Sequence, residues 1–125
     1  MVLGIGIDLI EVARIERLWQ RFGSRFLERL YTPTELDYSL RRARPAAALA
    51  ARFAAKEAVM KALGTGWGGC AWHEIEVVRR PGGMVALNLY GAAARRAAAL
   101  GIDVWHLSLT HGEAYAAALV VAERR

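Results

Sequence analysis

Apolar residues alternate with small or polar ones through Val2-Leu3-Gly4-Ile5-Gly6-Ile7-Asp8-Leu9. This period of two predicts a strand over residues 2–9, with Leu3, Ile5, Ile7 and Leu9 on one face and Gly4, Gly6 and Asp8 on the other. Helical spacing follows near residues 11–21 and 23–30, and Thr32-Pro33-Thr34-Glu35 reads as a capping box with Pro at the first position of a third helix. Pro45 opens a long helix that ends at the glycines of Gly64-Thr65-Gly66. Further on, Glu74 to Arg79 and Met84 to Leu89 read as strands joined across Pro81-Gly82-Gly83. Gly91 to Leu100 is a short helix stopped by Gly101, and Val104 to Thr110 with Glu113 to Val121 form a hairpin. The pattern predicts a single α+β domain over residues 1–125, with an antiparallel sheet packed against a long helix and shorter helices.

The long helix carries more charge than a core helix needs. In Arg52-Phe53-Ala54-Ala55-Lys56-Glu57-Ala58-Val59-Met60-Lys61, Glu57 and Lys61 lie about 40° apart around the axis, in the sector of Phe53, Met60 and Gly64. Arg52 and Lys56 occupy a neighbouring stripe. A carboxylate leaving a mostly apolar face must meet a cation, a metal or a donor. A simple Glu57–Lys61 pair would satisfy it, at roughly 0.3–0.5 kcal/mol.

The first strand offers a second carboxylate. Gly4 and Gly6 leave its second face without bulk before Asp8, so another backbone or a ligand can approach closely there. Asp8 could alternatively cap the helix that starts near Glu11. Two carboxylates on separate elements, with Lys61 beside them, suit magnesium, which takes oxygen ligands and completes its shell with water and substrate phosphate. Gly64-Thr65-Gly66 follows its helix, so it is neither an N-terminal phosphate cradle nor a P-loop.

In the strand His106-Leu107-Ser108-Leu109-Thr110-His111, alternation sets His106, Ser108 and Thr110 on one face. Imidazole and two hydroxyls could line an anion pocket, or simply face solvent.

Gly4-Ile5-Gly6-Ile7-Asp8, Arg52-Phe53-Ala54-Ala55-Lys56-Glu57 through Lys61, Gly64-Thr65-Gly66 and His106 to His111, in this order and spacing, resemble the bacterial holo-(acyl-carrier-protein) synthases. These form the short class of 4′-phosphopantetheinyl transferases. The resemblance implies magnesium-dependent transfer of the 4′-phosphopantetheine group from coenzyme A to a serine of apo acyl carrier protein, releasing adenosine 3′,5′-bisphosphate. It implies Asp8 and Glu57 as magnesium ligands and Lys61 beside the pyrophosphate, these three forming the catalytic set. Arg52, Thr65 and His106 fall at positions assigned to nucleotide contacts, and Arg41, Arg42 and Arg44, before Pro45, are expected near the nucleotide. It leaves the acceptor of the serine proton open between Glu57 and water on the metal. It further implies a homotrimer with active sites at subunit boundaries. Thr110 stands where serine is frequent in the family, which keeps a hydroxyl. Trp67, beside the glycines, is expected to pack under the loop, the alternative being a place along the pantetheine channel.

Charge agrees with an acidic partner. The 125-residue chain has a formal net charge of +5 and a pI near 10.0, which favours nucleic acid, anionic membrane or a small acidic protein alike. Arg14, Arg17 and Arg21 recur at helical spacing as a basic stripe, followed by Arg25. Under the family reading Arg14 and Arg21 dock acyl carrier protein, and neither nucleic acid nor membrane is a partner; otherwise the stripe is a solvated face. A basic nucleic-acid-binding module is the alternative, although it leaves Asp8 and Glu57 without a role. A magnesium-dependent phosphohydrolase would use the same carboxylates with water as acceptor. One cysteine, Cys70, excludes an intramolecular disulfide, and no Cys/His pattern suggests zinc. Apolar runs are broken by charge before about 20 residues, so a soluble protein is expected, and the single cysteine fits a reducing cytoplasm.

Overall fold

The chain begins with β1 (Val2–Glu11) and continues through α1 (Val12–Phe22), α2 (Ser24–Leu30), α3 (Pro33–Leu40) and α4 (Pro45–Leu63). Two short 3-10 turns, Gly66–Gly68 and Trp72–Glu74, lead into the hairpin β2 (Ile75–Arg79) and β3 (Val85–Leu89), then α5 (Gly91–Leu100) and the hairpin β4 (Val104–His111) and β5 (Tyr115–Glu123). The computed structural model describes residues 1–125 apart from the side chain of Trp67, so the expected packing of Trp67 lies outside the described residues.

The strands form two antiparallel sheets rather than one. β1, β5 and β4 make a three-stranded sheet with β5 in the centre, and β2 with β3 stands apart as a ladder of its own. α4 lies across the three-stranded sheet and is buried nearly all round from Ala47 to Met60, with Glu57 half-buried. A helix apolar on every side belongs in the centre of a fold. Small residues let it come close: Ala116, Ala118 and Ala122 of β5 are buried beneath it.

Against β1 the approach is closer still. A Cβ on Gly4 would lie 2.7 Å from the carbonyl oxygen of Ala62, and one on Gly6 would lie 1.8 Å from that of Ala58. Only a glycine strand can lie against a helix backbone at this separation. The usual burial of alternating strands is thereby inverted. The glycine face turns inward, and Ile5, Ile7 and Leu9 are 62%, 63% and 65% exposed on the outer face, joined by Leu119 and Tyr115 of β5.

Local signals account for the remaining boundaries. The Thr32 side chain accepts from the Glu35 backbone while Glu35 accepts from Thr32 N–H, so the capping box forms with Pro33 at the first helical position. α4 ends on Gly64, whose φ of 71° is the left-handed cap that a glycine adopts without strain. Glu11, not Asp8, occupies the N-cap of α1, and Asp8 lies within β1. Among the described residues no helix is long and apolar enough to cross a membrane.

Candidate functional site

The glycine contacts bring Asp8 to the C-terminal half of α4. Asp8 shares the inward face of β1 with Gly4 and Gly6, and its side chain is 13% exposed. Lys61 reaches across from α4, its Nζ donating to the Ile7 carbonyl at 2.8 Å and to Asp8 Oδ1 at 3.2 Å. The ion pair of Lys61 therefore runs to β1, whereas helical spacing pointed to Glu57. Glu57 sits one turn before Lys61 on the same side of the helix, half-buried. Among the described residues no group of three or more His, Cys, Asp or Glu side chains is placed to hold a metal on its own. Asp8 and Glu57 instead supply hard oxygen donors of the kind that hold magnesium together with phosphate oxygens and water.

A second constellation lies toward the other end of α4. A cavity of about 780 Å³ is bounded by Arg42, Arg44, Arg52 and Arg79, with Tyr38 and His111 also in its wall. The guanidinium carbons of Arg42, Arg52 and Arg79 lie 4.5, 4.3 and 4.9 Å from the centre of the Tyr38 ring. Three cations thus share one aromatic ring. Among the described residues no carboxylate pairs with Arg42, Arg44, Arg52 or Arg79. Arg52 is buried, its Nη1 donates to the Ala48 carbonyl at 3.3 Å, and its Nε has no partner among the described residues. Burial pushes its pKa down, against the opposing pull of Tyr38 and Glu35. A buried guanidinium with an unfilled donor, surrounded by further cations, has the chemistry that suits an anion.

On α1, Val12 and Ile15 are buried, which leaves Arg14, Arg17 and Arg21 exposed along the opposite side. The Arg14 guanidinium lies 5.8 Å from the centre of the Phe53 ring. Phe53 stacks on Trp72 at 5.1 Å with planes 22° apart. Arg21 lies over Phe22. Gly23, at φ 62°, separates α1 from α2, so Arg25 leaves the stripe for a second helix.

The structure thus brings Asp8 and Lys61 together, with Glu57 on the same side, and places Arg52 in the arginine cavity. Thr65 and His106 lie outside that cavity. Thr65 turns its hydroxyl to the Gly66 carbonyl at 3.1 Å. His106 faces outward from β4 and bonds Glu123 Oε1 at 2.7 Å. On that strand the imidazole bordering the cavity is His111, which sequence reasoning assigned to the opposite face from His106 and gave no ligand role. Of the basic group before Pro45, Arg42 and Arg44 line the cavity, while Arg41 pairs with Asp37 at 2.9 Å. Tyr38 and Arg79 were missed because no local pattern marks them; α3 and the end of β2 meet only in the folded chain.

The 4′-phosphopantetheinyl transferase superfamily model matches residues 4–120. The chain is 52% identical over 124 residues to the holo-[acyl-carrier-protein] synthase of Koribacter versatilis (strain Ellin345), covering 98% of this chain and 99% of that protein. Among solved structures, the holo-[acyl-carrier-protein] synthase of Neisseria meningitidis superposes with a TM-score of 0.90 at 37% identity, over 99% of this chain and 100% of that one. The Helicobacter pylori holo-[acyl-carrier-protein] synthase, solved in complex with coenzyme A, superposes with a TM-score of 0.83 at 30% identity, over 95% of this chain and 99% of that one.

Proposed function

This chain belongs to the 4′-phosphopantetheinyl transferase superfamily as an enzyme of the holo-[acyl-carrier-protein] synthase kind, and we propose that it transfers the 4′-phosphopantetheine group of coenzyme A to a serine of apo acyl carrier protein, with magnesium, releasing adenosine 3′,5′-bisphosphate. The observation that carries this reading is the Asp8–Lys61 contact at 3.2 Å, made on the helix that also bears Glu57 and Arg52. Glu57, Lys61 and Arg52 therefore stand on the helix that borders the arginine cavity, with Asp8 brought to it by β1.

In the reaction the serine oxygen forms a bond to the phosphorus that carries pantetheine, and the bond from that phosphorus to the bridging oxygen breaks. The serine proton leaves with a base, and the nucleotide departs with the bridging oxygen. Asp8 and Glu57 would hold the magnesium ion, which when bound supplies positive charge against the phosphate oxygens. Lys61 spends two of its three N–H donors on Ile7 and Asp8, which leaves one for a phosphate oxygen. Its ammonium is held by the backbone before substrate arrives, so its charge needs no reorganisation as the leaving oxygen becomes negative. Arg52, with Arg42 and Arg79 around Tyr38, would take a phosphate of the nucleotide.

Carrier-protein capture falls to α1, where exposed Arg14 and Arg21 present positive charge. Complementary charge raises the encounter rate more than it tightens the complex.

The functional unit we propose is a homotrimer with sites at its subunit boundaries. Two observations support it. The outer sheet face exposes Ile5, Ile7, Leu9 and Leu119 together, an apolar surface of the kind that copies of a chain cover. In addition, Asp8 lies on β1 and the wall of the arginine cavity includes β4, and these are the two opposite edges of one sheet. A site built from two copies can set one chain's carboxylates beside its neighbour's arginines.

The test is intact-mass spectrometry of apo acyl carrier protein incubated with this protein, coenzyme A and magnesium, beside a chelator control. The expected result is a gain of one phosphopantetheine that chelator and Glu57→Ala both abolish. No gain with several carrier proteins, with the enzyme demonstrably folded, would reduce the likeness to one of fold.

A further inference from the structure

Lys56 belongs to neither constellation, yet it is the most completely buried cation in the chain. Its side chain and that of Glu35 are both 0% exposed, with Nζ 2.8 Å from Glu35 Oε1. All three ammonium donors are used, because Nζ also donates to the Trp72 carbonyl at 3.0 Å and to the Ile75 carbonyl. Glu35 is equally committed: Oε1 accepts from Thr32 N–H at 2.9 Å, and Oε2 accepts from Val77 N–H at 2.8 Å. A buried ion pair of this kind is rarely a net gain in stability over apolar residues of the same volume. Its value lies in what it holds in register.

What it holds is the return of the chain from α4. The segment that leaves α4 at Gly64 passes through the glycines and comes back at Trp72 and Ile75, and these two carbonyls are the ones Lys56 grips. The Trp72 ring lands on Phe53, one turn from Glu57, and Phe53 in turn lies beneath the Arg14 guanidinium. β2 then runs from Ile75 to Arg79, which faces Tyr38 in the arginine cavity. One side chain on α4 therefore fixes both the wall beside Glu57 and the strand that delivers Arg79.

We propose that Lys56 is a positioning residue for the transfer reaction: through Glu35 and the Trp72 and Ile75 carbonyls it holds the glycine segment and β2 in register with α4, so that Glu57 and Arg79 each keep the place from which they meet substrate. The proposal rests on the transferase reading for its activity arm and on geometry alone for its structural arm.

Lys56→Met by itself strands the buried Glu35 charge and can unfold the protein. The decisive variant is therefore Lys56→Met combined with Glu35→Gln, a neutral pair of nearly unchanged volume that keeps an acceptor for a backbone N–H. The expected double variant melts cooperatively, shows faster amide exchange across residues 66–75 with β5 still protected, and loses about 10- to 100-fold in kcat, the scale of a small misplacement, with KM for carrier protein unchanged. A folded double variant with parental exchange across 66–75, or with parental kcat, would overturn the proposal. So would a double variant that does not fold, since Lys56 would then serve the core and not the register. If the parent protein shows no transfer at all, the transferase reading fails separately and the exchange measurement alone decides for or against the clamp.

Discussion

Gly6 and Ala58 touch backbone to backbone: a Cβ on the glycine would come within 1.8 Å of the alanine carbonyl oxygen. That oxygen belongs to the helix and cannot swing aside. Gly6→Ala is therefore expected to push β1 off α4 and destabilise the protein by at least about 1–3 kcal/mol, measured by urea unfolding. Asp8 moves with the strand, so transfer should fall further than the loss of folded protein explains. Parental stability and activity in this variant would show that the strand yields easily.

Asp8 and Glu57 are assigned to one metal ion, and their neutral variants separate chemistry from folding. Asp8→Asn and Glu57→Gln should each lower kcat by about 10²–10³-fold, the range for removing one charge from a preorganised site. Sedimentation should find the assembly state of each variant the same as the parent's. Asp8→Asn also frees Lys61 from its carboxylate partner. Full activity in either variant would take that carboxylate out of the metal site.

The arginine cavity gives a binding prediction that needs no turnover. Arg52→Met removes a charged donor worth about 1.5–3 kcal/mol, so calorimetry should record affinity for adenosine 3′,5′-bisphosphate falling about 10- to 100-fold. Affinity for adenosine 5′-phosphate should change much less if Arg52 holds the 3′-phosphate. Equal losses for both nucleotides would place Arg52 at the shared phosphate instead.

Reversing charge on α1 should act on encounter. Arg14→Glu is expected to raise KM for acyl carrier protein on the order of tenfold and to flatten its dependence on salt, with KM for coenzyme A unchanged. Because Arg14 also rests over Phe53, Arg14→Gln serves as the control for lost packing. An unaltered carrier-protein KM in Arg14→Glu would return the stripe to solvent.

Acid should loosen one junction in particular. Glu74 accepts from Ala71 N–H at 2.8 Å and from Ala92 N–H at 2.9 Å, and these bonds, led by that from Ala71, hold its pKa below the ordinary carboxylate value. The folded state thus binds the Glu74 proton less readily than the unfolded one. Its stabilising contribution is complete above the unfolded-state pKa and disappears as pH falls through the lower folded value. Glu74→Gln should therefore flatten the acid limb of a Tm-against-pH curve while changing its slope little near neutrality. An acid limb as steep as the parent's would mean that other carboxylates set it.

The parts of this molecule that were legible in advance are those with short-range causes. Thr32 and Glu35 cap each other three residues apart, Gly64 ends its helix through its own φ, and Gly4 and Gly6 announce a close approach by lacking side chains. Asp8 and Lys61 were found by resemblance and by facing, yet their pairing across two elements was not, since helical spacing offered Glu57 as the nearer partner. Lys56 shows the limit most plainly. Its position in the helix pattern is that of Arg52, one turn away, and only the return of Trp72 and Ile75 over it makes one a clamp and the other a wall of a cavity. The exchange of His106 for His111 at that cavity has the same origin, because strand parity says which residues share a face but not which end of the strand the cavity meets.

The inverted strand also links assembly to mass action. Ile5, Ile7 and Leu9 face outward because glycines had to face inward, so the close packing that seats Asp8 leaves apolar surface to be covered elsewhere. If copies of the chain cover it, the apparent Tm rises with protein concentration. Specific activity then falls on dilution, and the enzyme would sense its own abundance through the strand that carries Asp8.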